Sequence, residues 1–171
     1  HNIRATYDSF LAANSGTRPR VLFSAHGLPE KIIRSGDPYQ WQCEESAKKI
    51  AAATGIENLD GQICYQSRVG PLKWIGPSTE EALEKAAHDR IPVLVYPHAF
   101  VSEHVETLVE IEIEYREEAE KMGVPGFARV PTVGVADAFI DGLARMVRAA
   151  AMDGIAPDGA SRLCPGTCKR C

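Results

Sequence analysis

Four short apolar runs, each followed by a stretch of helical periodicity, decide what this chain can become. Val21-Leu-Phe-Ser-Ala, Gln62-Ile-Cys-Tyr-Gln-Ser, Ile91-Pro-Val-Leu-Val-Tyr and the segment from Phe127 to Val133 read as buried strands. Helices are predicted near 40–54, stopping at Gly55, from the Ser78/Thr79 cap to about Arg90, from Glu103 to Met122, and from Ala136 to about Ala151. Short apolar strands alternating with helices call for a parallel sheet covered on both faces, because each right-handed crossover lays its helix back on the sheet. The expected class is α/β: a Rossmann-like or flavodoxin-like domain with a four-stranded parallel sheet flanked by helices.

Three segments follow from this pattern. Residues 1–19 hold a short amphipathic stretch (Ile3, Tyr7, Phe10, Leu11) and the polar linker Asn14-Ser-Gly-Thr-Arg-Pro. Residues 20–151 form the α/β domain, and 152–171 are a tail too rich in Gly, Pro and Cys for a helix. The chain opens HNIRATYDSF, with neither an initiator Met nor an apolar leader, so residue 1 is read as an interior position of a longer protein. A content of 44% hydrophobic and 25% charged residues suits a packed core rather than disorder. The net charge of −4 argues against a duplex-binding surface, so no nucleic-acid partner is expected. No apolar run approaches the ~18 residues that span a bilayer.

The stretch Val109-Glu-Ile-Glu-Ile-Glu-Tyr alternates with period two, a strand-like pattern. Its surroundings favour helix: Ser102 offers an N-cap, Glu103 sits where the helix dipole favours acid, and good helix formers follow from Arg116. On a 3.6-residue period Glu103, Glu106, Glu110, Glu114 and Glu117 share one stripe, with Val105, Leu108, Val109 and Ile113 opposite. Glu112 then falls inside the apolar arc. A local π-type widening would rotate it out.

In open parallel sheets, ligands bind beyond the carboxyl ends of the strands. His26 ends the first strand; Gln66-Ser-Arg-Val-Gly-Pro-Leu-Lys-Trp follows the second; Pro97-His-Ala-Phe-Val-Ser-Glu-His-Val-Glu follows the third. Taken singly, a strand-end histidine, a loop tryptophan and an acidic helix stripe each have an ordinary structural explanation. Gathered at one sheet edge they point to a site, because folding alone gives no reason to collect them there.

The stretches LFSAHGLPEKIIRSGDPY, CYQSRVGPLKWIGPSTEEAL and VYPHAFVSEHVETLVEIEIEY resemble the ferrochelatase family, in the same order and with compatible spacing, over roughly 19–150. The resemblance implies the chelatase fold, this chain being the C-terminal of two similar domains with the porphyrin cleft between them, and residues 1–19 being a helical segment and linker from the N-terminal half. It implies an active-site histidine at His26 and an iron-associated carboxylate at Glu106, with Glu110 and Glu114 continuing the acidic line. It assigns His26 and Glu106 to catalysis, His26, Glu106, Glu110 and Glu114 to metal, and Ser67, Val69, Trp74 and His104 to the porphyrin. The family is also known for a widened, π-type turn in this helix. His98 departs from it, since many relatives carry an apolar residue there.

The implied reaction inserts Fe²⁺, as substrate, into protoporphyrin IX to give protohaem. The residue types suit it. A porphyrin must lose two pyrrole protons as a metal enters through the ring face. A histidine with an ordinary pKa near ~6.5 accepts a proton or ligates a metal at neutral pH. Carboxylates suit Fe²⁺ and carry protons away, and Trp74 offers a face on which a macrocycle can stack. The sequence leaves open whether His26 takes a proton, ligates metal, or does both. Alternative readings are a coproporphyrin ferrochelatase, a non-catalytic metal- or porphyrin-binding module, and a structural iron–sulfur domain.

Three of five cysteines crowd the last eight residues, as Cys164-x3-Cys168-x2-Cys171. With no secretory signal, metal binding outranks disulfides, and this spacing suits Fe–S or zinc. The resemblance implies a [2Fe–2S] cluster, three of whose four ligands would be Cys164, Cys168 and Cys171. It further implies a cytoplasmic protein, peripheral contact with the inner membrane face through the other half, and allows a homodimer. The isolated half is expected to be inactive.

Overall fold

The fold is given by a computed structural model that describes residues 1–68, 70–153 and 163–170. Its sheet has four parallel strands, β1 (Arg20–His26), β2 (Gly61–Gln66), β3 (Val93–Tyr96) and β4 (Phe127–Arg129), in the order β2-β1-β3-β4. This is the flavodoxin-type order, in which winding reverses between β1 and β3. The helices are α1 (Asn2–Ala13), α2 (Glu30–Arg34), α3 (Tyr39–Ala53), α4 (Thr79–Asp89), a π-helix (Glu106–Glu114) that continues as α5 (Tyr115–Met122), and α6 (Asp137–Asp153).

Side chains alternate across the pleat, so each strand feeds two cores. Leu22, Cys64, Val93 and Val95 pack under α4, the π-helix and α5, against Ala82, Leu83, Ile111, Tyr115 and Ala119. Val21, Phe23 and Leu94 face the opposite way, toward Ile3 and Tyr7 of α1 and Ala47 of α3. Each large buried side chain contributes roughly 1.5–3 kcal/mol. Residues 1–19, read from the sequence as a helical segment and linker, therefore place α1 inside this core. Its Asn2 side-chain amide also donates to the Thr132 carbonyl at 3.1 Å.

Local chemistry sets the element ends. In α4 the Ser78 hydroxyl accepts from the Glu81 amide at 3.1 Å and the Glu81 carboxylate accepts from the Ser78 amide at 2.6 Å, a reciprocal capping box. Gly123 ends α5 in the left-handed region, with φ +82°. β4 is shorter than the predicted 127–133. The Val130 amide still reaches the Val95 carbonyl at 2.8 Å, but Pro131 has no amide to continue the ladder. The single turn of α2 had no counterpart in the sequence pattern.

The acidic helix departs most from a regular wheel. It is π-type over Glu106–Glu114 and α-type from Tyr115. Glu112 leaves the apolar arc to pair with Arg116 and, at 3.0 Å, with Arg129 Nε. The inward residues are Thr107, Ile111, Tyr115 and Ala119. Val105, Leu108, Val109 and Ile113, expected to form the inner face, are instead 67%, 45%, 38% and 50% exposed. The wider turn shifts the inward register to a spacing of four, which a 3.6-residue wheel assigns wrongly. Ser102 likewise does not start the helix. The Thr107 hydroxyl accepts from the His104 amide at 3.0 Å and donates to the Glu103 carboxylate at 2.7 Å.

α6 has an apolar stripe that does not reach the core: Ile140, Leu143, Met146 and Val147 are all exposed. Among the described residues, no helix is long and apolar enough to cross a membrane.

Candidate active site

His26 is the last residue of β1, beside the point where winding reverses, and Glu106 is the first residue of the π-helix. His26 Nδ1 lies 3.0 Å from Glu106 Oε2, with the side chains 44% and 35% exposed, so the pair is held and still open to a ligand. The Glu106 amide donates to His104 Nδ1 at 3.1 Å. That bond leaves Nε2 to carry the proton of a neutral His104 ring. The ring meets Phe100 edge-on at 5.1 Å.

One turn along, Glu110 has a different task. Its Oε1 accepts from the Ser67 amide at 2.9 Å and from the Tyr115 hydroxyl at 3.2 Å; its Oε2 accepts from the Ser67 hydroxyl at 2.7 Å and from the Gln66 side-chain amide at 3.2 Å. Gln66 is fully buried, and its carbonyl oxygen accepts from Ser24 at 2.7 Å. These donors link the ends of β1 and β2 to the π-helix and hold Ser67 at φ +59°. Glu114, a turn further, is exposed. The acidic line thus divides into a carboxylate paired with histidine, one saturated with donors, and one in water. Glu103 serves the fold: burial works against its charge, yet hydrogen bonds from Thr107, the Thr132 amide and Arg129 hold its carboxyl below the usual range.

Trp74 sits against Gly27, the residue after His26. A Cβ on Gly27 would stand 3.4 Å from the indole and 3.0 Å from the Gln66 carbonyl, so only glycine fits without displacement. The Trp74 indole N–H is buried with no acceptor among the described residues. Val69 and Cys171 lie outside the described residues.

Among the described residues, no group of three or more His, Cys, Asp or Glu side chains is set to hold a metal ion. His26 and Glu106 come together; Glu110 and Glu114 do not join them. The Cys164 sulfur is disulfide-bonded, and Cys168 is a buried free thiol. Among the described residues no group of thiolates is gathered for an iron–sulfur cluster, and no step below passes through one. Burial pushes the thiol of Cys64 up to about 12, which makes it an inert core residue.

The places of two further residues, Tyr39 and His98, have no signal in the sequence. The Tyr39 hydroxyl donates to the His26 carbonyl at 2.9 Å; a tyrosine in the first turn of a helix reads as packing, and no pattern marks it otherwise. His98 belongs to the segment that follows the third strand and departs from the family, but its burial has no signal in the sequence. It lies beneath the site, edge-on to Phe23 at 6.1 Å, with both ring nitrogens buried and unpartnered among the described residues.

Fold and site together define an α/β domain that presents a histidine–carboxylate pair at the switch point of a parallel sheet, the usual position of a ligand crevice. The chain belongs to the ferrochelatase family, whose model matches residues 1–151. It is 50% identical over 165 residues to a ferrochelatase of Caulobacter vibrioides, covering 96% of this chain and 47% of that protein. It is 52% identical over 128 residues to a ferrochelatase of Pelagibacter ubique, covering 75% and 37%. With a ferrochelatase of Hyphomonas neptunium the identity is 45% over 175 residues, covering 99% and 49%. The chain spans about half the length of these curated relatives.

Proposed function

We propose that the full-length protein inserts Fe²⁺ into protoporphyrin IX to form protohaem, and that this chain supplies the groups that handle protons and metal. The observation that carries the reading is the 3.0 Å contact of His26 Nδ1 with Glu106 Oε2 at the carboxyl edge of the sheet. Membership of the family supports metal insertion into a porphyrin.

The reaction exchanges Fe²⁺ for two protons on the pyrrole nitrogens. A carboxylate on Nδ1 selects the histidine tautomer whose Nε2 is a bare acceptor, so His26 can take a pyrrole proton while Glu106 stabilises the imidazolium that results. A Glu106 oxygen, hard and anionic, is also the natural ligand for the incoming Fe²⁺. Glu110 has its acceptor sites filled by Ser67, Gln66 and Tyr115 and serves to hold the π-helix against the strand ends. Glu114, in water, can pass protons to bulk solvent.

The test follows loss of protoporphyrin IX fluorescence on addition of Fe²⁺, with full-length protein and its His26→Ala variant, and with coproporphyrin III in parallel. The expected result is turnover of protoporphyrin that falls at least ~100-fold in the variant, with an unchanged unfolding midpoint. Near-normal turnover in the variant would sink the assignment, and a preference for coproporphyrin III would reassign the substrate. The reading of Cys164, Cys168 and Cys171 as cluster ligands rests on their spacing and on the resemblance. Iron and acid-labile sulfide in anaerobically purified full-length protein decide it: none of either refutes the cluster.

A further inference from the structure

We infer that Tyr39 is a positioning residue for His26: its hydroxyl holds the main-chain carbonyl of the histidine and so sets where the imidazole meets Glu106. The inference rests on the reading of His26 given above. Register between β1 and β2 runs out at His26 and Gln66. One further bond, from the Gly27 amide to the Gln66 carbonyl at 2.9 Å, closes the ladder, and β2 leaves at Ser67 with φ +59°. From there the sheet no longer restrains the chain that bears the histidine. A side-chain donor takes over: the Tyr39 hydroxyl at 2.9 Å from the His26 carbonyl oxygen.

The donor is itself fixed. The Tyr39 amide donates to Asp37 Oδ1 at 2.9 Å, which locks the start of α3. Its ring packs against the cluster of Ala25, Cys43, Tyr65 and Ile75 beneath β1 and β2. The preceding turn is also pinned. The Arg170 amide donates to the Gly36 carbonyl at 3.0 Å, and a Cβ on Gly36, at φ +98°, would stand 2.8 Å from the Lys169 nitrogen. A line of contacts thus runs from the C-terminal tail through Gly36 and Tyr39 to the backbone of His26. Tyr39 touches no reacting atom in this scheme; it acts through the position of the imidazole, and a misplacement of about 1 Å costs on the order of 100-fold in rate.

The experiment compares full-length protein with its Tyr39→Phe variant, which keeps the ring and its packing and loses the hydroxyl. The ring nitrogens of His26 are followed by ¹⁵N NMR on histidine-labelled protein, the signal assigned by its absence in His26→Ala. The expected result is loss in Tyr39→Phe of the single-tautomer pattern that the Glu106 contact imposes, with kcat roughly tenfold lower and the porphyrin KM unchanged. An identical His26 spectrum in the two proteins would overturn the inference. A wild-type protein that inserts no metal would refute the proposed function instead, and the NMR comparison would still decide the role of Tyr39.

Discussion

Glu110 receives both the main-chain amide and the hydroxyl of Ser67, at 2.9 and 2.7 Å, and with this one carboxylate the π-helix is tied to the end of β2. Substitution Glu110→Gln leaves one acceptor oxygen and sets an NH₂ against a donor. Hydrogen bonds to a charged group are worth roughly 1.5–3 kcal/mol each when buried, and less at a half-buried site. The expected loss is about 1–2 kcal/mol in urea unfolding, with faster amide exchange at Ser67. Unchanged exchange at Ser67 would show that the carboxylate does not hold this turn.

Glu112 looks misplaced on a helical wheel, and an apolar residue there would seem an improvement. The structure predicts the reverse. Glu112 pairs with Arg116 and, at 3.0 Å, with Arg129, whose side chain is only 12% exposed. Glu112→Leu would leave that guanidinium short of a partner and lower stability by about 1–3 kcal/mol, read as a shift of the denaturant midpoint. A neutral or stabilising substitution would contradict the pairing.

His98 gives stability a dependence on pH. Burial lowers its pKa below the usual value, so the folded state resists protonation more than the unfolded chain does. The stability linked to keeping it uncharged is fully present above the unfolded value of about 6.5. Stability is then lost as pH falls from there through the folded pKa, because the unfolded state takes the proton first. His98→Leu removes this contribution. The ratio of unfolding constants for variant and wild type should be flat above about pH 7 and diverge below about 6 in favour of Leu; parallel curves at all pH values would exclude the histidine as the cause.

The stripe on α6 stands clear of the core, Met146 and Val147 each being 68% exposed. The double substitution Met146→Lys, Val147→Lys is expected to shift the unfolding free energy of this chain by no more than ~0.5 kcal/mol. A loss of several kcal/mol in a chemical melt would mean that the stripe is packed.

The sheet was legible in the sequence because strands buried on both faces leave uninterrupted apolar runs, and the Ser78–Glu81 cap and the Gly123 stop announce themselves by residue type. The acidic helix was legible as a helix, and Glu112 betrayed the widened turn, but its inner face was not, since Thr107 and Ile111 turn inward only when the turn is widened. His26 and Glu106 could be named from motifs. That Glu110 is saturated with donors could not, because its partners Ser67, Gln66 and Tyr115 come from β2 and α5, and spacing carries no information on hydrogen bonds across elements. Tyr39 was invisible for the same reason.

Of the two helices that cover one face of the sheet, one, α1, comes before the first strand. Ile3, Tyr7 and Phe10 of α1 fill the space over β3 and β4, whereas the helix after the last strand keeps Met146 and Val147 in water. Anyone dividing the gene should therefore not cut at Arg20, where the first strand begins. A cut there strips three large side chains from the interior and opens half the sheet, whereas the apolar stripe of α6 already faces solvent. The seam in the strand pattern, at Arg20, is thus not a seam in the packing, because α1 belongs to the core of the sheet that follows it.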